Sequence, residues 1–328
     1  MTSEFVHLHN HSDYSLLDGA QKIDQLVNTI DDLNMDAVAL TEHGNMFSVL
    51  PYYKQAKKAG IKPIIGCEIY VAVGSRFEKK TRSDGGWGNN HLILLAQNFT
   101  GYKNLMKLVT AGYLEGFYYR PRIDMDLLRE YSEGLICMSA CLKGVVPEKM
   151  LKGDYEGARK EALLFSEIFQ DRYYLEIQNH GIPEEEQNLK NMKKLSQDLN
   201  LPLVCTNDAH YAKKEHWEAH DIHICLGTGK ERSDPNRLRY ATPEFYFKTQ
   251  DEMHKLFKEF PGAIENTRKI ADSIDITLPI GESHLPNFPI PKEANISDPD
   301  EYLKSITELG AQNLYGEITP EIKKRMSH

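Results

Sequence analysis

Short apolar runs alternate with amphipathic helical stretches over the first 210 residues of the chain. The runs cover residues 5–9, 37–41, 63–73, 91–97, 134–139, 173–178 and 201–206 and are rich in Val, Ile, Leu and Tyr, as buried strands are. Between the first two, Ile23, Leu26, Val27, Ile30 and Leu33 recur at helical spacing within 21–34 and make one apolar stripe. Residues 155–169 and 183–199 repeat that pattern. Near-continuously apolar strands separated by helices imply a parallel sheet covered on both faces. Polar residues mark the strand ends: His11 follows the first run, His43 the second, Glu68 lies within the third, Cys141 follows the fifth and Asp208 the seventh. Residues at the C-terminal ends of many strands converge only if the sheet curls round one point. The pattern therefore predicts an α/β fold, a seven-stranded (β/α)7 barrel over residues 1–275.

From 276 to 328 the pattern changes. Pro279, Pro286, Pro289 and Pro291 exclude a helix or central strand and predict an extended linker. Ser297 or Asp298 then caps an expected helix with Pro299 in its first turn and Tyr302, Leu303, Ile306 and Leu309 on its apolar face. That helix has no domain of its own to pack into, which points to a piece of something longer.

No stretch reaches the roughly 20 apolar residues of a membrane span, and the first residues carry no secretory pattern, so a cytoplasmic protein is expected. Cys67, Cys137, Cys141, Cys205 and Cys225 do not suggest a disulfide framework. A net charge of −9 over 328 residues argues against gripping nucleic acid by the overall field, leaving room only for a local contact.

Thirteen histidines change the picture, because several cluster at strand ends. His7-Leu8-His9-Asn10-His11 places three imidazoles on one face of a strand. Asp18, His43, Glu68, His91, Cys141, Asp208 and His210 stand at comparable places. Each motif is weak by itself, but together they form a mixed set of imidazoles, carboxylates and a thiol that zinc, iron or manganese accepts. Other features carry less. Gly227-Thr228-Gly229-Lys230 lacks the spacing of a phosphate loop, and Cys137, Cys205 and Cys225 read as buried small hydrophobes. Arg120 and Arg122 beside Tyr118 and Tyr119 read as a solvated turn before a nucleic-acid contact. His216, His220 and His223, at helical spacing, read as surface packing.

The combination resembles the PHP (polymerase and histidinol phosphatase) superfamily, and most closely the PHP domain at the N-terminus of bacterial replicative DNA polymerase III alpha subunits. Phe5-Val6-His7-Leu8-His9, Tyr14-Ser15-Leu16-Leu17-Asp18-Gly19, Tyr118-Tyr119-Arg120-Pro121-Arg122 and Thr206-Asn207-Asp208-Ala209-His210 carry the likeness. The resemblance implies a distorted seven-stranded barrel of PHP type and up to three divalent transition metals (zinc, manganese or iron) held by His9, His11, Asp18, His43, Glu68, His91, Cys141, Asp208 and His210. Glu42 stands where Asp is expected in the family motif and is assigned a supporting role, with His7, Asn45 and His180. Residues 276–328 would begin the polymerase region that follows.

The resemblance further implies phosphoester hydrolysis, with 3′–5′ exonuclease action on a DNA 3′ end. The expected partners are the rest of the polymerase chain, a proofreading exonuclease subunit and other replisome subunits, with no membrane. A metal centre that only braces the polymerase or docks that subunit is the alternative, and a free-standing small-molecule phosphatase a third. No acidic triad for nucleotide polymerisation is found within the chain.

Overall fold

The computed structural model describes residues 2–80, 88–283 and 285–328, which divide into two units, Met1–Thr277 and Leu278–His328. The first unit holds strands β1 (Ala37–Leu40), β2 (Lys62–Ala72), β3 (Asn89–Ala96), β4 (Arg122–Ile123), β5 (Leu135–Met138), β6 (Tyr173–Ile177) and β7 (Leu203–Cys205). Their order is β1-β2-β3-β5-β6-β7, with β4 beside β2. Helices such as Ile23–Asp32, Tyr155–Phe169 and Pro183–Leu199 lay Leu26, Ile30, Phe165, Met192 and Leu195 into the core. The expected α/β architecture with a curled sheet is present.

Two expectations need correction. Residues 5–9 form no ladder strand. The segment makes single bridges on either side, His7 to Val38 and Asn10 to Ala209. Its backbone bonds run to β1 (Ala39 N to His7 O, 2.8 Å) and to the stretch after β7 (His11 N to Ala209 O, 2.9 Å), so it spans the gap between the two outer edges of the sheet. Second, the sheet is mixed. Strand β3 runs antiparallel to both β2 and β5, while β1–β2, β2–β4, β5–β6 and β6–β7 are parallel. A parallel neighbour needs a crossover, usually a helix, and the described residues between β2 and β3 contain none.

His7 lies with the core. Its Nε2 donates to the Lys248 carbonyl at 2.9 Å, and its ring meets Phe5 and Phe247 edge-on. Burial pulls its pKa down to about 4. The unfolded chain, with His7 near its ordinary value, therefore binds a proton that the folded chain refuses between about pH 6.5 and 4. Stability is expected to fall on acidification through that window, by up to about 1.4 kcal/mol per pH unit from this group. Denaturant midpoints of His7→Gln and wild type against pH check this: the variant should show a shallower acid slope, and equal slopes would refute the assignment.

In the second unit, the described residues among 278–291 form no helix or strand. Asp298 accepts from the backbone N–H groups of Asp300 and Glu301, capping helix Pro299–Tyr315 with Pro299 in its first turn. A short helix, Pro320–Met326, follows. No helix among the described residues is long and apolar enough to cross a membrane.

Candidate metal centre

All nine side chains assigned to metals come together, although seven separate stretches of chain carry them. Glu68, reaching inward from β2, is the hub. One of its oxygens lies 2.9 Å from His9 Nε2 and 3.5 Å from His11 Nε2. The other is 3.2 Å from His43 Nδ1 and in contact with His91 Nδ1. Cys141 Sγ stands 3.7 Å from His91 Nδ1. Asp208 Oδ1 lies 3.2 Å from His9 Nε2 and 3.1 Å from His11 Nε2. On the far side, Asp18 Oδ1 is 3.2 Å from His43 Nε2 and its Oδ2 is 3.9 Å from His210 Nε2. Ligand atoms of His9, His11, Glu68 and Asp208 all fall within 4.8 Å of one another, as do those of His11, His43 and His210.

Local backbone geometry aims these groups. Ala140 and Asp208 both take left-handed conformations, with φ of 64° and 45°, where β5 and β7 have just ended. Such conformations cost a non-glycine residue about 1–2 kcal/mol and recur at functional sites. They turn the chain sharply at Cys141 and Asp208. Gly19 has a steric reason: a Cβ there would stand 1.8 Å from the Ser12 carbonyl oxygen, so only glycine lets the Asp18 turn close against the His11 segment.

The donor set fits divalent metals by its hydrogen bonding. His9 Nδ1 donates to Glu176 at 2.7 Å, His11 Nδ1 to Ser15 Oγ at 3.2 Å, and His210 Nδ1 to the Asp208 carbonyl at 2.7 Å. In each ring the partner can only accept, or already donates elsewhere (Ser15 Oγ donates to Glu42 at 2.5 Å), so the proton sits on Nδ1. That leaves Nε2 facing the centre, the arrangement that orients metal-ligating histidines. Four buried ligand atoms, His11 Nε2, Asp18 Oδ1, His43 Nε2 and Asp208 Oδ1, make no well-aligned hydrogen bond among the described residues and face one another only as the ion pairs His11–Asp208 and His43–Asp18. Buried polar atoms without well-aligned hydrogen bonds are costly, and a cation between the facing imidazoles and carboxylates would relieve that cost.

Electrostatics agree. Burial pulls the His9 imidazole down, but Asp208 and Glu176 outweigh it and hold its pKa well above the ordinary value. His43 is raised in the same way by Asp18 and Glu68 against burial. Burial raises Glu68, but His91 and His43 bring it well below the usual carboxylate range. Asp18 and Asp208 are likewise lowered, burial being overcome by His43 for the first and His9 for the second. His210, by contrast, is driven by burial down to about 3. Protons on His9 and His43 thus balance the carboxylates of the metal-free centre.

Several partners escaped the sequence reading. Glu176, in β6, accepts from His9, from Ala140 N at 3.0 Å and from Thr206 Oγ1 at 2.5 Å; a carboxylate inside an apolar run was the available signal. Glu42, already assigned a supporting role from the sequence, accepts from the Ser12 amide at 3.1 Å and from Ser15 Oγ, and so acts on His11 through Ser15. His220, read as surface packing, is buried, and its Nε2 donates to the Asp18 carbonyl at 2.7 Å; the helix Trp217–Thr228 packs its face against the centre. Tyr240 places its hydroxyl 2.8 Å from His210 Nε2.

Other candidates do other work. His180 bonds Glu185 at 2.6 Å and the Asn207 carbonyl at 3.0 Å and stacks on Phe245, bracing the loop before Asp208. Asn45 bonds the Tyr14 and His43 carbonyls and shapes the loop after β1. Arg122 is not in a solvated turn: it is buried, and its guanidinium donates to the carbonyls of Gly116, Arg76 and Glu78. Arg120 remains exposed. Gly229 caps the C-terminus of helix Trp217–Thr228 with φ of 63°, so the glycines at 227 and 229 belong to a helix end.

Residues 7–180 match the PHP domain family model, more than half of the chain. The chain belongs to the PHP domain family. Among relatives of this PHP domain, the DNA polymerase III subunit alpha of Borreliella burgdorferi is 49% identical over 98% of this chain and 28% of its own length. That of Treponema pallidum is 44% identical over 99% of this chain and 28% of its own, and that of Thermus aquaticus 40% over 95% and 26%. The chain therefore spans about a quarter of the polymerase subunits it matches. A solved histidinol phosphate phosphatase from Lactococcus lactis, complexed with zinc, L-histidinol and phosphate, is 13% identical over 70% of this chain and 95% of its own, with a TM-score of 0.32, too loose a likeness to argue from.

Proposed function

We propose that this PHP domain is a metal-dependent phosphodiesterase that removes nucleotides from DNA 3′ ends within a DNA polymerase III alpha subunit. The carrying observation is the convergence of nine competent ligand side chains, with ligand atoms of His9, His11, Glu68 and Asp208, and likewise those of His11, His43 and His210, within 4.8 Å of one another. On this reading His9, His11, Glu68 and Asp208 hold one metal, Glu68, His91 and Cys141 a second, and Asp18, His43 and His210 a third. Zinc, manganese and iron all suit such a donor set. Bound there, divalent metals supply an activated water and stabilise charge on the attacking and leaving oxygens of a phosphodiester. The chain's own part is to hold Nδ1 of His9, His11 and His210 as donors, and so turn Nε2 inward, through Glu176, Ser15 with Glu42, and the Asp208 carbonyl. Residues 278–328 would open the polymerase region, in a cytoplasmic replisome whose other subunits, a proofreading exonuclease among them, are the partners.

A 3′-labelled single-stranded oligonucleotide incubated with the manganese-loaded chain tests the reading. Stepwise release of mononucleotides from the labelled end is expected, and none from the metal-free protein. Absence of release with metal demonstrably bound would sink it. That outcome would favour a structural centre, which has one observation in its support: His9, His11 and Glu68 are at most 1% exposed, and structural metal sites are closed to solvent.

A further inference from the structure

We infer that Tyr240 is a hydrogen-bond donor to a phosphoryl oxygen held at the metal centre, an inference that rests on the phosphodiesterase reading above. Tyr240 lies between helices Trp217–Thr228 and Gln250–Phe257, on a strap pinned at both ends. Before it, Arg237 grips Asp221 with both terminal nitrogens, at 2.6 and 2.8 Å, and Arg232 adds a contact at 3.2 Å. After it, Asn207 Nδ2 donates to the carbonyls of Glu244 and Tyr246 at 2.8 and 2.7 Å. The Phe245 carbonyl accepts from His210 N at 2.9 Å. Between these anchors the Tyr240 ring meets Phe245 edge-on at 4.4 Å and His220 at 4.9 Å. A bidentate arginine–carboxylate pair is geometrically specific, so the phenol is delivered to one place.

That place is the edge of the centre. The hydroxyl lies 2.8 Å from His210 Nε2 and 3.3 Å from Asp18 Oδ2. Because the Asp208 carbonyl takes the Nδ1 proton of His210, Nε2 offers a lone pair, and Tyr240 is the donor. This lone pair is the one that would ligate a metal. Once it is committed, Tyr240 keeps a single acceptor among the described residues, Asp18 Oδ2 at 3.3 Å, whose carboxylate is a candidate ligand too. A partly buried hydroxyl left with one long bond is under-satisfied, and such a shortfall costs free energy. The donor is then satisfied by an anionic oxygen entering the centre, which for a phosphodiesterase is a phosphoryl oxygen of substrate or product.

Had Tyr240 merely braced His210, its removal would disturb the metals and leave phosphate binding per loaded centre untouched. The test is therefore elemental analysis of the manganese-loaded Tyr240→Phe chain together with calorimetric titration by inorganic phosphate. Metal content equal to wild type is expected, with phosphate bound about tenfold more weakly, about 1.4 kcal/mol. Unchanged phosphate affinity, or loss of metal, would overturn the inference. Asp221→Asn, which releases the strap while keeping the hydroxyl, should weaken phosphate binding severalfold at full metal content; unchanged binding would contradict delivery by the strap. If the loaded wild type itself binds no phosphate, the phosphodiesterase reading falls and takes this inference with it. If wild type binds and Tyr240→Phe binds equally, only the role of Tyr240 falls.

Discussion

Glu68→Gln is expected to empty the centre and abolish hydrolysis, by at least about a hundredfold, an effect of roughly 3 kcal/mol on the barrier. Glu68 is the one carboxylate that faces His9, His11, His43 and His91 together. It is also buried to within 1%, so its loss cannot be made good by water. The amide keeps the shape but removes the charge that balances the imidazoles. In the metal-free chain the substitution leaves buried cationic histidines short of a partner, which typically costs about 3–5 kcal/mol. The variant should therefore be less stable as well as inactive, read by thermal unfolding alongside metal content. A Glu68→Gln chain that keeps wild-type metal and stability would refute the hub assignment.

Metal uptake is expected to release protons and to stabilise the fold strongly. In the metal-free centre His9 and His43 are held protonated by their acidic neighbours. A metal can take their nitrogens only by displacing those protons. The sign follows: apparent affinity falls as pH falls, about tenfold per unit for each proton displaced, as mass action requires. Calorimetric titration with manganese in buffers of different ionisation heat reads the proton count directly, and up to two protons per chain at pH 7 are expected from this pair. Metal held at about a thousandfold over its dissociation constant contributes about 4 kcal/mol. For a unit of this size each kcal/mol moves Tm by about 2–4 °C, so chelation should lower Tm by roughly 10 °C. No proton release and no shift on chelation would place the ions elsewhere.

The candidate ligands, and their convergence, were legible in the sequence because strand ends announce themselves locally. A short apolar run followed at once by His, Asp or Cys is visible within ten residues, and His9 with His11 share one side by simple alternation. Strand direction was not legible in that way: apolar content marks β3 as buried but does not distinguish parallel from antiparallel pairing, which the missing crossover decides. Residues 5–9 read as a strand and form only bridges, because their backbone bonds are divided between β1 and the stretch after β7.

The supporting groups were hidden for a different reason. His220 reaches Asp18 across 202 positions of sequence and Tyr240 reaches His210 across 30, so no local pattern ties either to the centre. On its own helix, His220 shares a spacing with His216 and His223 that looks like a solvated face, yet it alone of the three is buried. Arg122 misled in the opposite sense. An arginine beside two tyrosines suggested an exposed turn, whereas three carbonyls of nearby loops take its donors.

Elemental analysis of the chain purified without added metal or chelator, beside Glu68→Gln and Asp208→Ala, tests the metal centre most directly. Two to three transition-metal ions per wild-type chain, falling sharply in both variants, is the expected result. A folded wild-type chain that carries no metal, and takes up none from excess manganese or zinc, would contradict it.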